Sequence, residues 1–238
     1  MAGAFPDDAL LLIGHGSARY PDAGRLLQVH ADSLRSEFAE VGVGFLNGGP
    51  SAADALAALR AGVIHVVPFF MEDGYFSRVA VPKALATARE GDLRFCPPVG
   101  THAGMADVIG ARVLRGTAGR GLVEVVLVGH GSATSPGRTM ALHGHAERLR
   151  DLGRFSRIRV AFLEEAPLVA DVLASARGTV VAVVGVLAGE GLHVRDDLPR
   201  LIAAARGRLG DGLLDLGSVG EDPGMARLIL DRVVRRRG

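Results

Sequence analysis

The chain has very little cysteine, and this limits the kinds of metal site and cross-link that it can form. Cys96 is the single cysteine among 238 residues. One cysteine excludes an internal disulfide framework and any thiolate cluster built from one chain. Histidine and carboxylate side chains are therefore the remaining metal ligands, and Cys96 itself fits a small hydrophobic core residue.

Neither sign of charge predominates. The formal net charge is +1, with 48% hydrophobic and 22% charged residues. This balance is typical of a globular protein and argues against disorder and against a general polyanion-binding surface. We therefore expect no nucleic acid partner. The basic run at residues 235–237 fits the positive charge that a helix dipole favours at its carboxyl end better than a phosphate-binding tail.

Long hydrophobic runs are also missing. No segment approaches the roughly 20 apolar residues of a membrane span. Residues 1–16 have no basic region and only a short apolar run, unlike a secretory signal. We expect a cytoplasmic protein that has no membrane partner.

An internal repeat organises what is present. The segment "LLLIGHGSARYPDAGRLLQVHADSLR" (10–35) matches "VVLVGHGSATSPGRTMALHGHAERLR" (125–150), and three later pairs of segments match in the same order. The two halves meet at "GTAGRG" (116–121), which reads as a glycine-rich linker. The repeat predicts two homologous lobes, residues 1–118 and 119–238.

Short apolar runs alternate with longer segments of helical period in each half. In the second half they predict strands near 123–128, 158–162, 180–187 and 213–216, and helices near 138–152, 167–177, 195–206 and 223–236. Continuous runs such as "VEVVLV" suit strands that are covered on both faces. The predicted fold class is therefore α/β, with a four-stranded parallel sheet flanked by helices in each lobe.

Both "GHGS" motifs follow the first predicted strand of their half, which places His15 and His130 at strand ends. Open parallel sheets bind ligands beyond the carboxyl ends of their strands. These positions therefore favour a ligand contact, although a turn histidine that only bonds local backbone is the structural alternative.

Three motifs in order resemble a known family. A strand-ending "GHGS", an "FLE" at the end of the second strand and a "G-x-H-x-x-x-D-x-P" after the third are similar to the two-domain class II tetrapyrrole chelatases of the CbiX type. The resemblance covers almost the whole chain. It implies a chelatase-like fold with a cleft between two lobes, and an enzyme that inserts Co²⁺ or Fe²⁺ into sirohydrochlorin or a close relative, in cobalamin or sirohaem biosynthesis. The metal is then a substrate, and no organic cofactor is implied. Because the duplication already supplies two lobes, we expect a monomer, with a dimer left open.

The chemistry of insertion explains these residue types, and the two halves differ in supplying them. Neutral imidazoles bind Co²⁺ or Fe²⁺ and can release it, whereas a set of thiolates would trap the metal. Imidazole and carboxylate groups can also accept the protons that leave the macrocycle. The alignment places His15 opposite His130, Asn47 opposite Glu164, Phe76 opposite His193 and Ala80 opposite Asp197. We therefore predict that the first half is degenerate, and that His130, His193 and Glu164 are the metal ligands and catalytic residues.

Residues around this set have less specific interpretations. Asp197 either accepts the second N–H of an imidazole or complements the start of a helix. Glu165 should point away from Glu164 if the strand alternation holds at its end. His15, Arg138 and Arg195 are candidate contacts for the substrate, although exposed arginines near helix starts are common.

The remaining histidines are better explained by packing or by surface positions. His30, His65, His143 and His145 lie in predicted helices or before a strand, and only His102, at a strand end opposite Asp222, is a candidate to face the cleft.

Two other functions fit parts of the sequence. A bilobal protein that has lost polar groups in one half could carry a tetrapyrrole or a metal without chemistry. A hydrolase with Ser17 or Ser132 as nucleophile is less consistent with the sequence, because "GHGS" is not the "G-x-S-x-G" elbow.

Overall fold

A computed structural model describes residues 3–17, 24–86, 91–133, 137, 139–189 and 196–236. The first repeat contains β1 (Phe5–Gly16), α1 (Arg25–Ser33), β2 (Phe38–Asn47), α2 (Ala52–Ala58), β3 (Val63–Pro68), α3 (Val81–Leu85), β4 (Asp92–Phe95) and α4 (Met105–Gly116). The second contains β5 (Val123–Gly129), α5 (Met140–Asp151), β6 (Arg157–Phe162), α6 (Val169–Ala174), β7 (Val180–Gly185), α7 (Leu198–Leu209), β8 (Leu213–Ser218) and α8 (Gly224–Arg236). The strands and helices predicted for the second half overlap these elements one for one.

The strands form two separate parallel sheets. Their orders are β2-β1-β3-β4 and β6-β5-β7-β8, and every pairing is parallel. The two strands that precede the "GHGS" motifs, β1 and β5, therefore occupy the same interior place in different sheets. This confirms the predicted fold class of two four-stranded parallel sheets flanked by helices.

The second sheet is covered on both faces, as the continuous apolar runs predict. All seven residues of β5 and all six of β7 are buried. One face of these strands packs against α6 and α7 through Val126, Val128, Val181, Val183, Val172, Leu173, Leu198 and Ile202. Burying each of these aliphatic side chains contributes about 1.5–3 kcal/mol to the free energy of unfolding. The sheet is therefore a stable support for the loops at its carboxyl edge.

The compact units do not coincide with the two repeats. Their boundaries fall between His102 and Ala103 and again between Asp222 and Pro223, so α4 belongs to the second unit and α8 to the first. The helix α4 packs against α5, β7 and β8, while α8 packs against α1 and β3. The predicted lobes, 1–118 and 119–238, thus follow the repeats, whereas each compact unit takes its last helix from the other repeat.

Equivalent arginines attach these two helices. Arg112 in α4 donates from Nε to the carbonyl oxygen of Leu216 at 2.6 Å. At the same repeat position in α8, Arg232 donates to the carbonyl oxygen of Pro98 at 2.8 Å and to Oγ1 of Thr101 at 2.6 Å. In each unit a guanidinium therefore fastens the helix to the chain around the end of the fourth strand.

Several side chains predicted to be structural are indeed buried. His30 packs against Phe69, with ring centroids 5.4 Å apart, and His65 Nε2 lies 2.9 Å from Asp8 Oδ2. On α5, His145 is buried and His143 is exposed, as expected for positions two apart.

Two further side chains in the first unit are also enclosed. His102, the candidate to face a cleft, is buried instead, with Nε2 2.8 Å from Asp231 Oδ2, because α8 packs against the turn at Val99–Thr101 that follows β4. Burial also raises the pKa of the Cys96 thiol to about 11. None of the described helices is both long enough and apolar enough to cross a bilayer.

Candidate functional site

His130 and Glu164 are brought together by the backbone at the carboxyl edge of the second sheet. Pairing between β5 and β6 continues past the strand ends, where Leu163 N–H donates to Gly129 O at 3.2 Å and Glu164 N–H donates to His130 O at 3.0 Å. Gly129 lies close to neighbouring side chains here, since a Cβ would lie 2.7 Å from the end of the Leu142 side chain. The two strand-end residues therefore occupy neighbouring positions, as their places in the sequence predict.

Their side chains also meet. His130 Nδ1 lies 3.7 Å from Glu164 Oε2, with 47% and 42% of the two side chains exposed. The arrangement thus combines an imidazole and a carboxylate within reach of solvent and of a bound molecule.

The orientation of the His130 ring indicates its tautomer. Nδ1 lies 3.0 Å from the carbonyl oxygen of Gly131. A carbonyl oxygen can only accept a hydrogen bond, so Nδ1 carries the hydrogen in this contact. In the neutral ring Nε2 then carries the lone pair that a metal ion requires.

Glu165 has a different environment from its neighbour Glu164. It is 7% exposed, and its carboxylate accepts hydrogen bonds from Gly137 N–H and from Thr139 Oγ1, each at 3.0 Å. Glu165 is therefore buried and Glu164 exposed, in a segment that bends after the end of β6 at Phe162. The sequence assigns Glu165 no role, because only the positions of Gly137 and Thr139 in the structure show what its carboxylate binds.

Three of the predicted residues cannot be placed. His193, Arg138 and Arg195 lie outside the described residues. Within the described ranges there is no group of three or more histidine, cysteine, aspartate or glutamate side chains placed to hold a metal ion. The predicted set of His130, Glu164 and His193 needs one member from outside those ranges.

Asp197 lies at the start of α7, next to Leu198. Its side chain makes no capping bond to the helix and instead accepts from Arg200 Nη2 at 2.5 Å. Its charge therefore lies at a helix amino terminus, as one of its two interpretations expects. The other interpretation, a bond to the His193 ring, stays a prediction.

The first unit places the aligned residues together as well. Asn47 Nδ2 lies 3.4 Å from His15 Nε2, and the Phe76 ring meets the His15 ring edge-on at 4.7 Å between centroids. Burial lowers the pKa of His15. This trio contains one imidazole, no carboxylate and an aromatic ring, so its chemistry differs from that of His130 and Glu164.

Comparisons with known proteins agree with this architecture. The CbiX family model matches residues 9–115 and, separately, residues 124–236. A probable sirohydrochlorin cobaltochelatase of Halobacterium salinarum is 29% identical over 222 residues, which cover 80% of this chain and 75% of that relative.

Solved structures show the same fold. A multi-domain protein of Deinococcus radiodurans, described as structurally similar to chelatases with two additional novel domains, has a TM-score of 0.82 and 27% identity over 99% of this chain. The match spans 56% of that longer protein. The cobalt complex of the sirohydrochlorin chelatase SirB from Bacillus subtilis subspecies spizizenii has a TM-score of 0.77 at 18% identity, over 97% of this chain and 95% of SirB. Because both repeats match the family model and together span nearly the whole sequence, this chain belongs to the CbiX family.

Proposed function

We propose that this protein is a metal chelatase that inserts Co²⁺ or Fe²⁺ into sirohydrochlorin or a closely related tetrapyrrole. The observation that carries the proposal is the pairing of His130 with Glu164, 3.7 Å apart at the carboxyl edge of the second sheet. Family membership and the name of the Halobacterium relative support the same reaction. The product would serve cobalamin or sirohaem biosynthesis.

His193 is proposed as the second imidazole ligand, and the repeat supports this assignment. Its counterpart in the first half is Phe76, whose ring contacts the ring of His15. If the second half follows the same path, His193 lies beside His130. Asp197 would then be near enough to orient the His193 ring through its second nitrogen.

The ligand chemistry suits a metal that is held and then released. Two neutral imidazoles and a carboxylate bind Co²⁺ or Fe²⁺ less tightly than a set of thiolates would. His130 would ligate through Nε2, because its Nδ1 faces the Gly131 carbonyl. Cys96 does not compete, since it is buried and its pKa of about 11 keeps the thiol protonated near neutral pH.

The reaction also needs proton acceptors. A divalent metal that enters the macrocycle replaces two pyrrole N–H protons, so two protons must leave per turnover. Glu164 is suited to receive them, because its carboxylate is beside the imidazole and is also 42% exposed, which lets it pass protons to water. No organic cofactor is needed for this exchange of a metal ion for protons.

Three further residues are proposed to contact the substrate. Sirohydrochlorin carries carboxylates around a flat ring, so Arg138 and Arg195 are proposed to bind them as ion pairs. His15 is proposed as a contact for the ring, because its lowered pKa favours the uncharged imidazole.

The reaction is tested by mixing metal-free protein with sirohydrochlorin and either Co²⁺ or Fe²⁺. The macrocycle's absorption spectrum reports insertion, and a sample without protein gives the spontaneous rate. We expect faster conversion with protein and with at least one of the two metals. A rate equal to the spontaneous one with both metals, in a protein that still binds sirohydrochlorin, would instead indicate the carrier.

A further inference from the structure

We propose that Glu165 is a positioning residue for His130: it fixes the backbone that holds the imidazole with hydrogen on Nδ1 and the lone pair on Nε2. Its purpose rests on the proposed function, because a metal ligand or proton acceptor at Nε2 needs this tautomer. The geometry itself is independent of any reaction.

The Glu165 side chain is buried. A carboxylate that is 7% exposed is costly unless it is well hydrogen-bonded. Here each oxygen accepts one bond at 3.0 Å, from Gly137 N–H and from Thr139 Oγ1. The loop after β6 is thereby tied to the chain just before α5.

The hydroxyl of Thr139 bonds to Glu165 in place of a helix-capping hydrogen bond. Thr139 stands at the N-cap position of α5, where a threonine side chain normally accepts from a helix N–H. Its side chain makes no such bond and donates to Glu165 instead. The hydroxyl therefore holds the Glu165 carboxylate rather than capping the helix.

Glu165 also packs against Gly131. A Cβ on Gly131 would lie 2.8 Å from Glu165 Cγ and 3.2 Å from Glu165 N, and Gly131 has a φ of +75°. Phe162 Cβ would lie 2.9 Å from the same Cβ, so the glutamate stem and Phe162 together fill the space over Gly131 and restrict its peptide. The carbonyl of Gly131 is the group that His130 Nδ1 contacts at 3.0 Å.

These contacts form a continuous path from Glu165 through Gly131 to the His130 ring. A backbone carbonyl on one ring nitrogen fixes the tautomer and orientation of a metal-binding histidine, and such supporting contacts strongly affect metal affinity.

The first repeat lacks an equivalent of the contacts from Glu165 through Gly131 to His130. Gly48 stands at the position of Glu165, and the ring of His15 contacts the Asn47 amide through Nε2 rather than Nδ1. The buried glutamate is therefore present only in the half that has the candidate ligand set.

The tautomer of His130 provides the direct test, without metal or substrate. Long-range proton–nitrogen NMR on the metal-free full chain, at a pH about two units above the usual imidazole pKa of about 6.5, assigns the hydrogen to Nδ1 or Nε2. We expect Nδ1–H in the wild type, a shift toward Nε2–H in Glu165→Ala, and a smaller shift in Glu165→Gln, whose amide oxygen still accepts a bond. Glu147→Ala, at an exposed position of α5, is the matched control and should leave the tautomer unchanged.

Co²⁺ binding and thermal unfolding are measured on the same variants. We expect Glu165→Ala to weaken Co²⁺ binding by about 10–100-fold, and Thr139→Val to weaken it less. The Glu165→Ala, Thr139→Val double variant should be no weaker than Glu165→Ala alone, because both changes break the same contact.

A lower unfolding temperature with an unchanged tautomer and unchanged Co²⁺ affinity would overturn the proposal and leave Glu165 a structural role only. If the wild type binds no Co²⁺ and inserts none, the proposed function fails, and the tautomer measurement still decides the positioning role of Glu165.

Discussion

Glu164 is also a proposed metal ligand, and saturating metal compensates for a lower metal affinity. Under that condition, replacing Glu164 by glutamine separates two further tasks that its carboxylate could perform. The change keeps the shape and one hydrogen-bond acceptor but removes the negative charge and the proton acceptor. In the first task, the carboxylate only stabilises a protonated His130. In the second, it accepts a proton from the macrocycle itself.

The distance between the two groups sets the size of the first effect. Opposite charges 3.7 Å apart attract each other by about 1 kcal/mol in a water-like dielectric and by about 4 kcal/mol at an effective dielectric of 20. Because both side chains are nearly half exposed, the lower value applies, and it corresponds to less than about tenfold in rate.

Loss of a general base costs more, typically about 100-fold to 10,000-fold. Since we propose that Glu164 takes up pyrrole protons, Glu164→Gln should lower kcat for metal insertion by at least about 100-fold. The unfolding temperature should hardly change, because the exposed side chain contributes little to the core.

The assay follows the absorption of sirohydrochlorin at saturating metal, with circular dichroism to verify the fold. Glu147→Gln, an exposed change in the same unit, is the matched control and should keep the wild-type rate. A loss of less than about tenfold in folded Glu164→Gln would refute proton uptake by this carboxylate and leave it the roles of metal ligand and charge stabilisation.

Three further predictions concern histidines of the two halves, the buried His102 and the cysteine. His130→Ala and His193→Ala should each lower the rate of metal insertion by about 100-fold or more, while His15→Ala lowers it far less; a folded His15→Ala that is inactive beside active His130→Ala and His193→Ala would move the site to the first half. Burial lowers the pKa of His102 from 6.5, so the unfolded state binds its proton first and the free energy of unfolding should fall as the pH drops below about 6.5. Urea titrations at several pH values should show a weaker decline in His102→Gln, and an equal decline would contradict this origin. Cys96 should resist a maleimide in the folded protein and react on unfolding, because it is buried and its pKa is raised to about 11; fast labelling without denaturant would show that the site is open.

The alternation of strands and helices could be predicted from the sequence because short apolar runs, continuous in β5 and β7, alternate with longer segments of helical period. The positions of His130 and Glu164 followed from the same reasoning, since parallel strands bring their carboxyl ends to one edge of a sheet. Their contact is therefore a consequence of sheet order, which a repeat of this kind makes regular.

The assignment of α4 and α8 to compact units could not be predicted in this way. Both helices bury methionine and aliphatic residues at the same repeat positions, Met105, Ile109 and Val113 in α4 and Met225, Ile229 and Val233 in α8. Because the repeats are homologous, the two apolar stripes are nearly interchangeable, and only the tertiary structure shows which sheet each helix covers. The burial of His102 has the same origin, since α8 supplies Asp231 beside it.

Glu165 illustrates a different limit. Its burial beside an exposed Glu164 agrees with the expected opposite directions, but its partners, Gly137 and Thr139, lie in a segment whose sequence has no periodic pattern. A buried carboxylate next to an exposed one is recognised only when the loop that it binds is seen.

The central claim is that this chain catalyses metal insertion rather than only holding its substrates. The most direct measurement is a time course with a large excess of sirohydrochlorin and Co²⁺ over metal-free protein, repeated with Fe²⁺ under anaerobic conditions and with folded His130→Ala. We predict many equivalents of metallated product per equivalent of wild-type protein, above the spontaneous background, and a rate close to that background for His130→Ala. Conversion that stops at one equivalent, or that proceeds equally well in His130→Ala, would contradict it.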